Sequence, residues 1–186
     1  EPLATVLKGL NRVMSQSQDF TSKKNCAVVG AGALGHLCAK VLVHLGHDVI
    51  AFDQNPVRRN YLANSKVQVS DDLSRLDEFD VLVESTGDPD VLDDILQGSR
   101  AGVSILLLAS PHSYRRFSFE EVIRYDKAVI GAGGSGDKEF EEAISLLPQL
   151  EVGELLECKM PLESFREACT HFRQREYLKI LLKVEN

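Results

Sequence analysis

The sequence predicts an α/β domain, a doubly wound parallel sheet with helices on both of its faces. Two observations carry that expectation. Apolar runs of strand length alternate with segments whose apolar residues recur at helical spacing, and parallel neighbours need such crossover helices. The first strand-to-helix junction is also spaced by glycines, Gly30-Ala31-Gly32-Ala33-Leu34-Gly35, as a tight turn against a sheet demands.

The elements follow in order. Leu3 to Val13 (LATVLKGLNRV) has helical apolar spacing and gives way to a polar linker through Ser15, Ser17, Asp19, Thr21 and Ser22. Cys26 to Val29 is too short for anything but a strand and ends at Gly30. Leu34, Leu37, Cys38, Val41, Leu42 and Leu45 then line one face of a helix that Gly46 stops. His47 to Phe52 is the second strand, and Asn55-Pro56 begins a turn into a helix carrying Arg58, Arg59 and Leu62. Val67 to Val69, Asp80 to Glu84 and Val103 to Ala109 are the third, fourth and fifth strands, with a helix through Val91, Leu92, Ile95 and Leu96 between the last two. Lys127 to Ile130 is the sixth. The Gly131 to Gly136 stretch is either a flexible lip or a linker, and Asp137 is the expected cap of a helix reaching Leu147. Beyond it come an extended piece near Leu155 to Lys159, a helix opened by Pro161 and continued through Phe165, Ala168, Cys169 and Phe172, and a last strand from Tyr177 to Val184. The expected division is residues 1–22 as helix and linker, 23–150 as the α/β domain, and 151–186 as a strand-helix-strand segment.

Composition narrows the partners. With 186 residues and 44% hydrophobic content, the chain can bury one sizeable core. A net charge of −7, with acids and bases interleaved, offers no basic stripe to nucleic acid or an anionic membrane, and neither is expected. No apolar run approaches the roughly 18 residues of a membrane span, and residues 1–20 lack the basic-then-apolar order of a secretion signal. A cytoplasmic protein is expected. Cys26, Cys38, Cys158 and Cys169 form no C-x-x-C pair, so buried free thiols are expected rather than metal ligands. His36, His44, His47, His112 and His171 form no tight ligand set, and His36 and His44 are expected on helix surfaces. There is no G-x-S-x-G elbow, no Walker-type G-K-S/T and no obvious proton carrier, so no catalytic and no metal residue is assigned.

The glycine turn carries the chemistry. It is a G-x-G-x-x-G that follows a strand and opens a helix, the context a dinucleotide fingerprint of the Rossmann fold needs. Gly30 permits the tight turn, Gly32 lets a pyrophosphate approach the backbone, and Gly35 lets the helix pack close to the sheet. The free N–H groups of Ala33, Leu34 and Gly35 then face the phosphates with the positive end of the helix. Asp53, 18 residues beyond Gly35, ends the second strand where a carboxylate accepts from adenosine ribose hydroxyls. Aspartate before Asn-Pro also caps turns, and that reading stands beside the first. The carboxylate would repel a 2′-phosphate, which favours NAD over NADP; Arg58 and Arg59 argue the other way. Thr86-Gly87 ends the fourth strand, either as part of the ligand crevice or as an ordinary turn.

Taken together, "GAGALGHLCAKVLVHLGHDVIAFD", "FDVLVESTGDPDVLDDIL", "AGVSILLLASP" and "MPLESFREACTHFRQREYLKILLKV" resemble the medium-chain dehydrogenase/reductase superfamily, of the zinc alcohol and polyol dehydrogenase type. The resemblance covers nearly the whole chain, including "EPLATVLKGLNR", and falls on that family's cofactor domain and C-terminal segment. It implies a nicotinamide dinucleotide contacted by Gly30, Gly32, Gly35, Asp53, Thr86 and Gly87. It also implies a basic residue near the pyrophosphate, where Lys179 stands; as a bare residue Lys179 reads equally as a surface lysine on an edge strand. Glu1 matches a glutamate that lies near the catalytic zinc in polyol-type members. The family's barrel-like catalytic domain, which holds zinc and relays the proton, is not in this sequence, so zinc is expected only through that domain. The resemblance further implies pairing of copies through the sheet edge. The isolated chain is expected to bind the dinucleotide and turn over no alcohol. Two other readings stand: a regulatory NAD-sensing domain without catalysis, for which the "PLESFREA…LKILLKV" ending is foreign, and a structural domain that binds nothing.

Overall fold

The computed structural model describes residues 1–16, 22–63 and 65–184; Ser17, Asp19 and Thr21 of the expected linker lie outside them. Along β1 (Asn25–Val29), Cys26 and Val28 enter one apolar cluster and Ala27 and Val29 another, all four buried. A strand buried on both faces needs parallel neighbours with helices above and below. The chain supplies β2 (Asp48–Phe52), β3 (Gln68–Ser70), β4 (Val81–Glu84), β5 (Ser104–Leu107) and β6 (Ala128–Gly131), all parallel, in the order β3-β2-β1-β4-β5-β6. On one face, α1 (Pro2–Gln16), α2 (Ala33–His44), α3 (Pro56–Ala63) and α6 (Asp137–Leu146) bury Leu10, Leu42, Leu62 and Ala143 in a common cluster. On the other, α4 (Pro89–Gly98) and α5 (Glu120–Arg124) place Ile95, Leu96 and Val122 over Leu82 and Ile105. The doubly wound class expected from the sequence is therefore the class observed.

Register sets the working edge. Phe52 and Glu84 both pair with Val29, Ser70 pairs with Phe52, Glu84 with Leu107, and Leu107 with Gly131, so all six strands end level. Strand order reverses between β1 and β4, the place where ligands of open α/β sheets bind. α1 lies directly on the sheet, since a Cβ at Gly9 would stand 3.0 Å from a Leu106 methyl of β5.

Several boundaries differ from the expectation. α5 has only five residues, too few for a helical period to show in sequence. Asp137 is the first helical residue rather than the cap; Gly136 is the N-cap, and its N–H is bonded by Glu139 Oε2 at 2.8 Å. Leu155 lies in a short 3-10 turn (Gly153–Leu156), and the extended piece is β7 (Cys158–Pro161), which pairs in parallel with β8 (Ile180–Lys183) as a separate two-stranded sheet. Pro161 ends β7, and a 3-10 turn intervenes before α7 (Phe165–Gln174). All four cysteines are free, but only Cys26 and Cys38 are buried; Cys158 is half-buried and Cys169 is exposed. Burial pushes the Cys26 thiol up to about 12 and Cys38 higher still, so both are inert thiols of the core. Among the described residues no helix is long and apolar enough to cross a membrane.

Candidate cofactor site

The crevice begins where β1 ends. Gly30 turns the chain at φ +97°, and Ser85 Oγ closes over it by donating to the Val29 and Gly30 carbonyls at 3.1 and 2.6 Å. Gly35 is fixed by space: a Cβ there would stand 1.8 Å from the Gly30 carbonyl oxygen, so the first turn of α2 rests directly on the turn before it. Gly32 is different. Only the Arg58 guanidinium approaches, 3.9 Å from where its Cβ would be, and Gly32, Ala33 and Leu34 are the half-exposed members of an otherwise buried turn. Gly32 is also the N-cap of α2, and no side chain caps the helix. A helix start with free N–H groups, open in front and carrying the positive end of its dipole, is a seat for an anion.

Asp53 leaves β2 beside this turn. Its Oδ2 accepts from Ala31 N and its Oδ1 from Asn55 N, both at 2.8 Å, and Arg58 Nη1 lies 3.5 Å from Oδ2. Asp53 therefore caps the Asn55 turn and touches the glycine loop at once. Arg58 Nε is buried and has no hydrogen-bond partner among the described residues, while Cζ and Nη1 of the same guanidinium face the opening at Gly32. Arg59 is occupied elsewhere, donating to the Asp53 carbonyl at 2.6 Å and pairing with Asp71 at 3.1 Å.

At the end of β4 the buried carboxylate of Glu84 gathers the next turn. Its Oε1 accepts from Thr86 N, Thr86 Oγ1 and Gly87 N at 2.6, 2.5 and 2.9 Å. Gly87 has φ +71°, and a Cβ on it would meet the Ser110 carbonyl at 2.4 Å and the His112 ring at 3.2 Å. The loop after β5, rather than open space for a ligand, occupies the room this glycine leaves. Beyond it a cavity of about 200 Å³ is lined by Glu84, Pro89, Leu92, Leu107, Ala109 and Tyr114. The Gly131 to Gly136 stretch is held from α1, with Lys8 Nζ donating to the Gly133 carbonyl at 3.0 Å and Arg12 Nη1 to the Gly131 carbonyl at 2.5 Å.

The structure thus brings together Gly30, Gly32, Ala33, Leu34, Gly35, Asp53 and Arg58, with Thr86 against Gly30 from the β4 side. Gly87 sits further along the same edge. Lys179 lies just ahead of β8, and no hydrogen bond or ion pair among the described residues ties it to the turn. Sequence reasoning missed Ser85 and Glu84. A carboxylate ending a fully apolar strand, VLVE, was a readable signal for the second; Ser85 gave none. Expected on a helix surface, His36 is instead fully buried, while His44 is exposed as expected. Among the described residues no group of three or more His, Cys, Asp or Glu side chains is placed to hold a metal.

An open, glycine-lined helix start at the switch point, with a carboxylate closing the second strand, defines a Rossmann domain of the dinucleotide-binding class. The chain belongs to the family described as glucose dehydrogenase C-terminus, whose model matches residues 1–183. It is 27% identical over 195 aligned positions to glucose 1-dehydrogenase 2 of Vulcanisaeta moutnovskia, a match covering 91% of this chain and 54% of that protein. In fold it is similar to 2R,3R-butanediol dehydrogenase of Bacillus subtilis (TM-score 0.82, 21% identity, all of this chain and 56% of that one). It is also similar to the Haloferax mediterranei glucose dehydrogenase in complex with NADP, Zn and gluconolactone (TM-score 0.80, 18% identity, all of this chain and 58% of that one). The chain spans about half the length of these relatives. The resemblance to medium-chain dehydrogenases and reductases holds, on their cofactor-binding segment. The family match runs through the C-terminal ending as far as Lys183, which disfavours the sensor reading.

Proposed function

We propose that the chain binds NAD(H) as the cofactor domain of a cytoplasmic medium-chain dehydrogenase acting on an alcohol, polyol or sugar. The observation that carries this reading is the uncapped start of α2 at Gly32, open in front, with the Arg58 guanidinium 3.9 Å from where a Gly32 Cβ would stand. The N–H groups of Ala33, Leu34 and Gly35 bind the pyrophosphate, and Arg58 donates to it from the side. Gly30 and Gly35 set the shape of the turn. Asp53 accepts from the adenosine ribose, Thr86 borders the adenosine half with Gly87 shaping the turn behind it, and Lys179 adds charge near the phosphates. When bound, the nicotinamide accepts or delivers the hydride at a carbinol carbon.

The preference for NAD over NADP rests on charge. The Asp53 carboxylate is held by Ala31 and Asn55 where a 2′-phosphate would come, and Arg58 stands 3.5 Å from that carboxylate. The Nη1 edge of that guanidinium is already matched by the Asp53 carboxylate, which leaves it a weak receptor for a 2′-phosphate arriving at that same place. Zinc and the proton relay belong, on this reading, to a catalytic domain that packs against the 151–186 segment, where Leu156, Leu162, Phe165, Phe172 and Leu182 are exposed.

Titrating the chain with NADH and with NADPH, followed by the fluorescence of the reduced nicotinamide, tests the preference. Saturable binding with at least about tenfold tighter NADH, the size of a charge repulsion of roughly 1.4 kcal/mol, is expected. Equal or tighter NADPH binding would overturn it.

A further inference from the structure

The first turn of α2 is fixed from the far end of the chain. His36 is its fourth residue, and its backbone N–H closes that turn on the Gly32 carbonyl at 2.8 Å. The side chain is fully buried, and its Nε2 donates to Glu154 Oε1 at 2.5 Å across 118 residues of sequence. The same Glu154 oxygen takes the ammonium of Lys40, one turn further along α2, and Lys40 also donates to the Glu151 carbonyl. Glu154 and Lys40 keep only 16% and 11% of their side chains exposed. The segment beyond Leu150 reaches the other wall of the crevice too, where the Arg175 carbonyl accepts from Asn55 Nδ2 at 3.4 Å, two residues past Asp53. One segment therefore holds both elements that the dinucleotide would bridge.

We propose that Glu154 is a positioning residue for the dinucleotide: through His36 and Lys40 it sets the place of the α2 N-terminus, and it does so only while His36 is neutral. The proposal rests on the cofactor reading above. The neutral ring has its proton on Nε2, facing Glu154, and leaves Nδ1 buried without a partner among the described residues. A second proton would have to enter at Nδ1, buried with no acceptor among the described residues. That unmet donor costs more than the strengthened Nε2–Glu154 contact returns, so protonation drives the ring out of the place from which it seats the helix. The charged groups that face the ring are Glu154 from the C-terminal segment and Lys40 from α2, and the balance of burial over Glu154's pull keeps the imidazole below its usual range.

The test is an NADH titration of the chain between pH 5.5 and 8, repeated for Glu154→Ala, Glu154→Gln and His36→Gln, with circular dichroism on each. At pH 7.5, Glu154→Ala weakens NADH about tenfold, as loss of hydrogen bonds to a charged group would. Glu154→Gln, which still accepts from His36 but no longer offsets the Lys40 charge, recovers only part of that loss. Affinity of the parent falls toward the acid end of that range, as pH approaches the lowered value of the buried ring, and the fall is absent in His36→Gln and persists in His112→Gln, an imidazole beside the crevice. Unchanged affinity in Glu154→Ala, or an identical pH profile in His36→Gln, overturns the proposal. If Glu154→Ala loses its helix signal, the profiles of the parent and His36→Gln decide alone. Absence of NADH binding by the parent at every pH overturns the cofactor reading beneath it instead.

Discussion

The residues that shape the crevice act through contacts of very different kinds. Gly35 is required by the backbone of its own turn: a Cβ 1.8 Å from the Gly30 oxygen has no flexible side chain to displace. Gly35→Ala should lower stability by on the order of 2–4 kcal/mol, read by urea unfolding, because α2 must lift from the sheet; an unchanged midpoint would contradict that packing. Lys127 is a case the sequence hid. Placed in an apolar run, it is nonetheless 6% exposed and donates to the Leu96 and Ser99 carbonyls at 2.6 and 2.8 Å and to Ser99 Oγ at 3.1 Å, capping the end of α4. Lys127→Met strands those acceptors and should be destabilising by about 1–3 kcal/mol in the same assay. Gly30, Gly32, Gly35 and Asp53 were legible because the turn imposes a spacing on residue type. Lys127, Ser85 and Glu84 answer to partners on other elements, and one position read alone does not contain them.

At the level of elements, the sheet and its long helices could be read from periodicity, and α5, with five residues, is the helix too short to show one. β7 and β8 fall where an extended piece and a last strand were expected, with β7 shifted toward Pro161 and β8 narrower than the expected run. His36 failed for another reason. Its neighbours on α2 repeat as a one-sided apolar face, but the C-terminal segment covers a second side of that helix and brings Glu154 onto it. This contact has a pH signature. Burial lowers the His36 pKa in the folded chain, so between that value and the ordinary 6.5 the unfolded chain binds more protons. The stabilisation is complete above pH 6.5 and lost progressively as pH falls through the folded value. Glu154 adds a second window. Burial alone would raise its pKa, but Lys40, its own backbone and His36 outweigh that and leave it below 4.5, so its share disappears only in stronger acid. Thermal midpoints measured from pH 7.5 to 5 should decline below 6.5 in the parent more than in His36→Gln. Parallel curves would mean that the buried imidazole is not the group responsible.

For the whole molecule, the fold class and the switch point followed from the alternation of strands and helices, because a doubly wound sheet leaves one edge at which ligands can meet free backbone. What the alternation could not supply is how the two ends of the chain serve that edge. α1 holds the Gly131 to Gly136 stretch through Lys8 and Arg12, and the C-terminal segment holds α2 and the Asn55 turn. The edge is thus assembled from residues more than a hundred positions apart. The central claim is that the uncapped start of α2 is where the pyrophosphate binds. Amide NMR of the chain during NADH addition tests it most directly. Saturable shifts at the N–H groups of Ala33, Leu34 and Gly35, with Asp53 moving alongside, are the result this account predicts. Shifts confined to the cavity around Leu107 and Tyr114, with the amides of the glycine turn unmoved, would contradict it.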